Sequence, residues 1–143
     1  MKITFLVFKR VFDIVLSFFL IIIFAPLFIF ISFAIILESK GGAIFKQKRI
    51  GKNGKTFIIY KFRSMFYKNS KNINQYKEPV LSNECDTRIT KLGAILRKTS
   101  LDEIPQLFNI LNGQMSFIGP RPIIEEQLDA MDEIHYKRFN LLP

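Results

Sequence analysis

Two adjacent carboxylates, Asp102 and Glu103, stand out as residues that could do chemistry. They follow two cations, Arg97 and Lys98, within the stretch Arg97 to Leu107. A functional role for the pair needs support from elsewhere in the chain. Acidic residues also cap helices, because the helix macrodipole favours negative charge at the N-terminus. The local pattern fits both roles.

The surrounding residues say what must position the pair. Ser100 is a good N-cap, and Glu103 three residues later completes the spacing of a capping box. Pro105 falls in the first turn, where proline is tolerated. Ile104, Leu107, Phe108 and Leu111 then recur at helical spacing. Upstream, Thr90 to Lys98 reads as a helix with apolar Leu92, Ile95 and Leu96. Downstream, Gly113 is a plausible helix stop. In Gly119-Pro120-Arg121-Pro122 two prolines bracket an arginine. Such a stiff loop would hold Arg121 in a restricted direction, suited to bidentate contact with phosphate. Ile123 to Phe139 reads as an acidic amphipathic helix, with His135 on its surface.

Between residues 39 and 64 the chain changes character. Ala43 to Ile50 and Lys55 to Phe62 carry strand-type residues around the turn signal Gly51-Lys52-Asn53-Gly54, so a short hairpin is expected. It runs into Tyr60-Lys61-Phe62-Arg63-Ser64-Met65, where Lys61 and Arg63 would share one strand face. Residues 67 to 88 are polar and read as a loop.

The N-terminal part is of another kind. From Ile14 to Leu37 no residue is charged. A helix of that length reaches roughly 36 Å, enough for a bilayer core of about 30 Å. Pro26 lies near the middle, removes a helical hydrogen bond and disfavours helical geometry at Ala25. Two topologies follow: a kinked transmembrane helix, or a helix-break-helix hairpin that returns to the side it entered. Lys2, Lys9 and Arg10 flank one end, and Lys40, Lys46, Lys48 and Arg49 the other. Basic flanks at both ends suit the hairpin with both ends in the cytoplasm. A signal peptide fits poorly, since the apolar run is too long and lacks a clear cleavage site.

Composition bounds the partners. The 143 residues fit one chain-length domain, and the net charge of +9 points to an anionic ligand or surface. Residues 40–98 hold fifteen Lys or Arg against three acidic residues, whereas 99–143 hold three against seven. The basic block follows the apolar run, as expected for a surface facing lipid headgroups or phosphates. One cysteine, Cys85, excludes an intrachain disulfide framework, and one histidine, His135, argues against a His/Cys metal site.

Three separated motifs then carry a more specific signal. They are Lys61-Phe62-Arg63-Ser64-Met65, Lys91 to Asn112 with Ser100-Leu101-Asp102-Glu103-Ile104-Pro105-Gln106-Leu107, and Met115 to Pro122. In this order they resemble the bacterial sugar transferases, the monotopic phosphoglycosyl transferases that prime glycan assembly on a polyprenyl carrier. The resemblance runs from about Lys9 to the end of the chain. It implies transfer of a sugar 1-phosphate from a nucleotide diphosphate sugar to undecaprenyl phosphate, in exopolysaccharide or lipopolysaccharide biosynthesis. It implies Asp102 as nucleophile, Glu103 as its partner, and Mg²⁺ held by Asp102. It also implies a reentrant helix broken at Pro26, with Ala25 where the family usually has serine. Location at the bacterial inner membrane, with the catalytic part in the cytoplasm, follows from the same likeness. The family pattern continues for several tens of residues past Leu142-Pro143, so the resemblance implies that a C-terminal part is missing here.

The expected architecture is therefore α+β and mostly helical. Residues 1–39 form a membrane-embedded helix-break-helix anchor. Residues 40–143 form a small cytoplasmic domain with a β-hairpin and amphipathic helices. Arg97, Arg121, Lys61 and Arg63 are the expected phosphate-binding cations. Membrane lipid is an expected partner and nucleic acid is not, because the aromatic residues are mostly Phe inside apolar runs rather than a stacking platform. The alternative class is a non-enzymatic, membrane-anchored basic protein that binds anionic lipid or nucleic acid.

Overall fold

Ile3–Glu38 form a single helix, α1, which runs through Pro26, so the expected helix-break-helix is here one continuous helix. Its 36 residues correspond to roughly 54 Å of helix. Among the described residues, α1 alone is long and apolar enough to cross a membrane, and only 11% of its apolar window is buried by the protein. The computed structural model describes residues 3–66, 86–127 and 136–143. Most of the polar loop expected at 67–88, including Cys85, therefore lies outside the described residues, as does His135.

The rest is mostly helical around a small two-stranded antiparallel sheet. β1 (Ile44–Ile50) pairs with β2 (Thr56–Phe62) in a register that sets Ile44 opposite Phe62 and Ile50 opposite Thr56. The turn signal is used as expected. Asn53 and Gly54 take positive φ angles of 57° and 71°, which the tight reversal requires. Next comes α2 (Lys91–Lys98), whose N-cap Thr90 accepts a side-chain bond from the Gly93 N–H at 2.9 Å. A short 3-10 turn, Leu101–Glu103, leads into α3 (Gln106–Leu111).

The hairpin has two working faces. Phe62 and Ala43 pack with Leu96 of α2 and with Ile31 and Ile35 of α1. Ile59 packs with Ile110 and Met115. The second half of α1 is thus part of the main core, and Phe28 stacks on both Phe62 and Phe108 at centroid distances of 4.8 and 5.8 Å. The composition boundary after residue 39 is crossed by this packing.

The first half of α1 is clasped by polar bonds. The Arg10 guanidinium donates to the carbonyls of Ile110 and Leu111 at 2.8 and 3.0 Å. Those carbonyls end α3, and Arg10 caps it from another element, sharing the Ile110 carbonyl with the Gly113 N–H at 3.0 Å. Lys9 donates to the Ile118 carbonyl. Asp13, only 2% exposed, accepts the Phe117 N–H at 3.3 Å. Both ends of α1 therefore rest on the same small domain.

Three expectations need correction. The capping box is absent: Ser100 adopts the left-handed conformation (φ 57°) and makes no side-chain cap bond. Pro105 contributes to this: it has no N–H to give the Leu101 carbonyl, so the α-helix begins only at Gln106 and Leu101–Glu103 stands as a separate 3-10 turn. The helix expected over Ile123 to Phe139 is also different. Ile123 is extended, its carbonyl accepting the Ile50 N–H at 2.8 Å, and the described remainder is 3-10 at Glu125–Gln127 and Lys137–Asn140. Residues 128–135 of that segment lie outside the described ones. Finally, Arg63 lies just past the end of β2 and, although it borders the same cavity as Lys61, its terminal nitrogens are engaged elsewhere. Arg63 is 6% exposed and donates to the Lys40 carbonyl at 2.7 Å and to the Ser39 carbonyl and hydroxyl at 2.7 and 3.0 Å. It closes the C-terminus of α1.

Candidate active site

The dyad is aimed by a strained corner. α2 stops at Lys98, and Ser100 turns the chain with a left-handed φ that costs a non-glycine residue about 1 kcal/mol. The 3-10 turn that follows presents Asp102 and Glu103 into a polar cavity of about 530 Å³. Arg49, Lys61, Arg97 and Arg121 also line it. With Arg63, five cations surround two carboxylates and give a site whose surplus charge is positive, which suits a ligand carrying several phosphate charges.

Each cation has its own support. Lys61 comes from β2 and pairs with Glu103 at 2.5 Å. Arg97 comes from the last turn of α2, and its Nε donates to the Ser64 hydroxyl at 2.8 Å. Arg121 sits in the Pro-Arg-Pro loop, exposed, with its carbonyl accepting from Arg138 at 2.6 Å. The loop is tied down at Phe117 and Ile118 by Asp13 and Lys9. Arg63 also borders the cavity, but its terminal nitrogens are already bonded to the end of α1, so it does not serve as an expected phosphate ligand.

The two carboxylates are driven apart electrostatically. Burial pushes Asp102 above the usual aspartate range, and the charge of Glu103 adds to this, against the pull of Lys61 and Arg97. Burial also acts on Glu103, but the hydrogen bond and charge of Lys61, with help from Arg121, outweigh it and hold the carboxyl below its usual range. Adjacent acids with opposite shifts have distinct roles. Glu103 is a fixed anion bonded to Lys61. Asp102 is less stabilised as an anion.

Two residues escaped the sequence reading. Arg49, which entered only as a flanking charge, lines the dyad cavity and its neighbour. The hairpin register would have found it. Phe45, Gln47 and Arg49 alternate along β1, and Phe45 lies opposite Lys61, so Arg49 and Lys61 share a face. Asn109 was also missed. It is fully buried, accepts the Tyr60 N–H at 3.0 Å and donates to the Ile58 carbonyl at 2.6 Å. It pins α3 to the outer edge of β2, and so fixes the dyad relative to Lys61. No local pattern signals that use.

A second cavity, of about 450 Å³, adjoins the first and shares Arg49, Lys61, Glu103 and Arg121 with it. Its other walls are mostly apolar, with Leu20 and Phe24 of α1 and Leu107 of α3, and Gln106 and Ser116 as polar members. The site thus has a charged side facing the dyad and an apolar side facing the long helix.

A family model described as bacterial sugar transferase matches residues 4–143. The chain belongs to the bacterial sugar transferase family. It is 44% identical over 137 residues to an uncharacterized sugar transferase of Haemophilus influenzae, covering 87% of this chain and 28% of the relative. It is 41% identical over 139 residues to the undecaprenyl-phosphate galactose phosphotransferase of Salmonella typhimurium, covering 90% and 29%. It is 44% identical over 117 residues to the UDP-glucose:undecaprenyl-phosphate glucose-1-phosphate transferase of Klebsiella pneumoniae, covering 82% and 24%. The chain therefore spans less than a third of each of these three relatives.

Proposed function

We propose that this bacterial sugar transferase moves a sugar 1-phosphate from a nucleotide diphosphate sugar to undecaprenyl phosphate, through a covalent intermediate on Asp102. The observation that carries this is the two-sided site: a cation-lined cavity holding the dyad, continuous with an apolar cavity against α1. A water-soluble phosphate donor fits the first and a lipid phosphate the second. The activities for which the Salmonella and Klebsiella relatives are named support the same acceptor.

In the first step ionised Asp102 attacks the phosphorus that bears the sugar. The bond from that phosphorus to the nucleoside monophosphate breaks, and the monophosphate leaves with the bonding pair. In the second step a phosphate oxygen of the lipid attacks the same phosphorus, and the carboxylate leaves. Arg97 and Arg121 would hold the donor's phosphates, while Lys61 keeps Glu103 in place beside Asp102. Among the described residues no group of three or more His, Cys, Asp or Glu is clustered, so an all-protein metal cage is not formed there. A Mg²⁺ ion needs only one or two carboxylates when phosphates complete its shell, and Asp102 fits that role. When bound, it would neutralise charge on the phosphates.

The test uses the full-length protein in membranes, with a nucleotide sugar, Mg²⁺ and undecaprenyl phosphate. The expected products are a lipid-linked sugar diphosphate and a stoichiometric nucleoside monophosphate. Release of free sugar phosphate without lipid product would overturn the transferase reading. Salt-sensitive lipid binding without turnover would leave the basic membrane-binding protein in its place.

The same reading includes a reentrant topology at the cytoplasmic face of the inner membrane. Its support is that Lys9, Arg10 and Asp13 near one end of α1, and Ile31 and Ile35 near the other, contact one domain. A straight span would place those contacts on opposite sides of the bilayer. Pro26 lies between them and is where the path would turn. In a Cys85→Ser background, cysteines at Thr4 and Lys46, both exposed, should be labelled from the same side of intact cells. Labelling from opposite sides would establish a kinked span.

A further inference from the structure

The loop that leads from α3 to Arg121 carries an apolar tip that the dyad chemistry does not use. Ile118 is 76% exposed and lines neither cavity of the site, and Phe117 beside it is also exposed. The tip is held from two sides. Toward α1, Lys9 donates to the Ile118 carbonyl and Asp13 accepts the Phe117 N–H at 3.3 Å. Toward residues 142–143, the Ser116 N–H bonds the Pro143 carbonyl at 2.6 Å. Gly119 lies so close to that segment that a Cβ on it would come within 2.1 Å of the Leu142 carbonyl oxygen. With the backbone fixed from Ser116 to Gly119, the Ile118 side chain is presented outward rather than folded back on the domain.

One exposed isoleucine is ordinary on a protein surface. Its level on α1 sets this one apart. Lys9, Arg10 and Asp13 are the last charges before the uncharged run from Ile14 to Leu37, so Ile118 is pinned where the apolar helix begins. Helical spacing puts Phe5, Leu6 and Phe12 beside Lys9, and all three are exposed. Lys9 and, three residues after Ile118, Arg121 supply cations, while the acid at this level, Asp13, is buried. Apolar side chains flanked by cations suit the boundary between headgroups and acyl chains of an anionic bilayer. We infer that the Phe117-Ile118 tip is a second membrane contact, with the Ile118 side chain inserted at that boundary beside the entry of α1. The inference rests on α1 being membrane-embedded and adds a contact made by the small domain. Lipid is the occupant because the tip is continuous with the apolar surface of α1, of whose apolar window the protein buries only 11%. A domain held by α1 alone could tilt over the bilayer. A second contact three residues from Arg121 fixes the height of the charged cavity above the headgroups.

The 143 residues contain no tryptophan, so Ile118→Trp adds a fluorophore that is read as the difference from the parent spectrum. The full-length protein is placed in nanodiscs of anionic lipid brominated either high or deep on the acyl chain. Ile118→Trp should emit further to the blue and be quenched more strongly by the shallow bromines. Ile23→Trp, at an exposed position of α1 within the uncharged run, should be quenched more strongly by the deep ones. Ile58→Trp lies on the hairpin face that carries Lys46 and Lys48, and should be quenched by neither. Quenching of Ile23→Trp but not of Ile118→Trp would overturn the tip and leave the embedded helix standing. Quenching of neither would overturn both. A blue shift at Ile118→Trp without quenching would mean that protein covers the tip, and would overturn the lipid contact. A second variant reads the consequence. Ile118→Asp changes an exposed side chain, and should raise KM for undecaprenyl phosphate about fivefold in anionic nanodiscs, as loss of a partly buried isoleucine from the seated orientation implies. It should leave the sugar-phosphate adduct formed with donor alone unchanged, and Ile118→Leu should match the parent in both. A parent-like KM for Ile118→Asp would overturn the role of the tip in seating the domain.

Discussion

Asp102→Asn should form no sugar-phosphate adduct and should lose transfer by a factor on the order of a thousand or more, as loss of a covalent nucleophile does. The substitution keeps size and removes only the attacking charge. The fold has no reason to fail. Asp102 caps no helix, since the 3-10 turn has no side-chain cap bond and α3 begins only at Gln106. Stability should if anything rise at neutral pH. Burial raises the Asp102 pKa, so its protonated form is favoured in the folded state, and its contribution to stability fades as pH rises through the folded value. Asn imitates the protonated form throughout. In the parent, the adduct-forming rate should increase with pH across a range above that of an ordinary aspartate, as Asp102 ionises. Glu103, shifted downward by Lys61 despite its burial, is already ionised there and contributes no inflection. The measurement is intact mass after incubation with donor and Mg²⁺, beside a melting curve. A variant that still gains the mass of a sugar phosphate would transfer the nucleophile's role to another residue, Glu103 first.

Local signals in the sequence worked where local physics decides the structure. The turn Gly51 to Gly54, the helix read at Thr90 to Lys98 and the stop at Gly113, with φ 80°, all appear where local signals put them. They failed where a distant element decides. Ser100 through Glu103 has the spacing of a capping box, yet Pro105 and the packing of Leu101 and Ile104 against the α1 core hold it as a 3-10 corner. Arg63 looked like a phosphate ligand because it follows Lys61 by two. Its actual partners, Ser39 and Lys40, lie more than twenty residues away. The clasp of Arg10 and Asp13 on residues 110–117 spans about a hundred residues of sequence. Hence the dyad, Lys61, Arg97 and Arg121 were recognisable as motifs, while the bonds that orient them were not.

Gly93→Ala separates these two kinds of information sharply. By helix propensity alone, alanine in α2 should stabilise by up to about 1 kcal/mol. The tertiary setting reverses the sign. A Cβ on Gly93 would lie 2.1 Å from the Ser64 carbonyl oxygen, 2.6 Å from its carbon and 2.8 Å from its Cα. Backbone, not a flexible side chain, is in the way. Nor is Ser64 free to retreat: its carbonyl accepts the Thr90 N–H at 3.1 Å, and the adjoining Phe66 N–H bonds the Arg88 carbonyl at 2.9 Å. The helix must therefore lift off the strand end. Leu96, 2% exposed, would be drawn out of the core with it. The expected loss is about 3 kcal/mol, at the upper end for overpacking. That corresponds to a fall of about 10 °C in melting temperature for a protein of this size. Activity should fall as well, because the Ser64 hydroxyl that steadies Arg97 moves relative to α2. Ala94→Gly, at the next and exposed position, gives the comparison: it removes propensity without a clash and should cost about 1 kcal/mol. Melting curves of the two variants in detergent decide the matter. If Gly93→Ala melted at or above the parent temperature, α2 would not lie against Ser64 as closely as described, and the support assigned to Arg97 would fall with it.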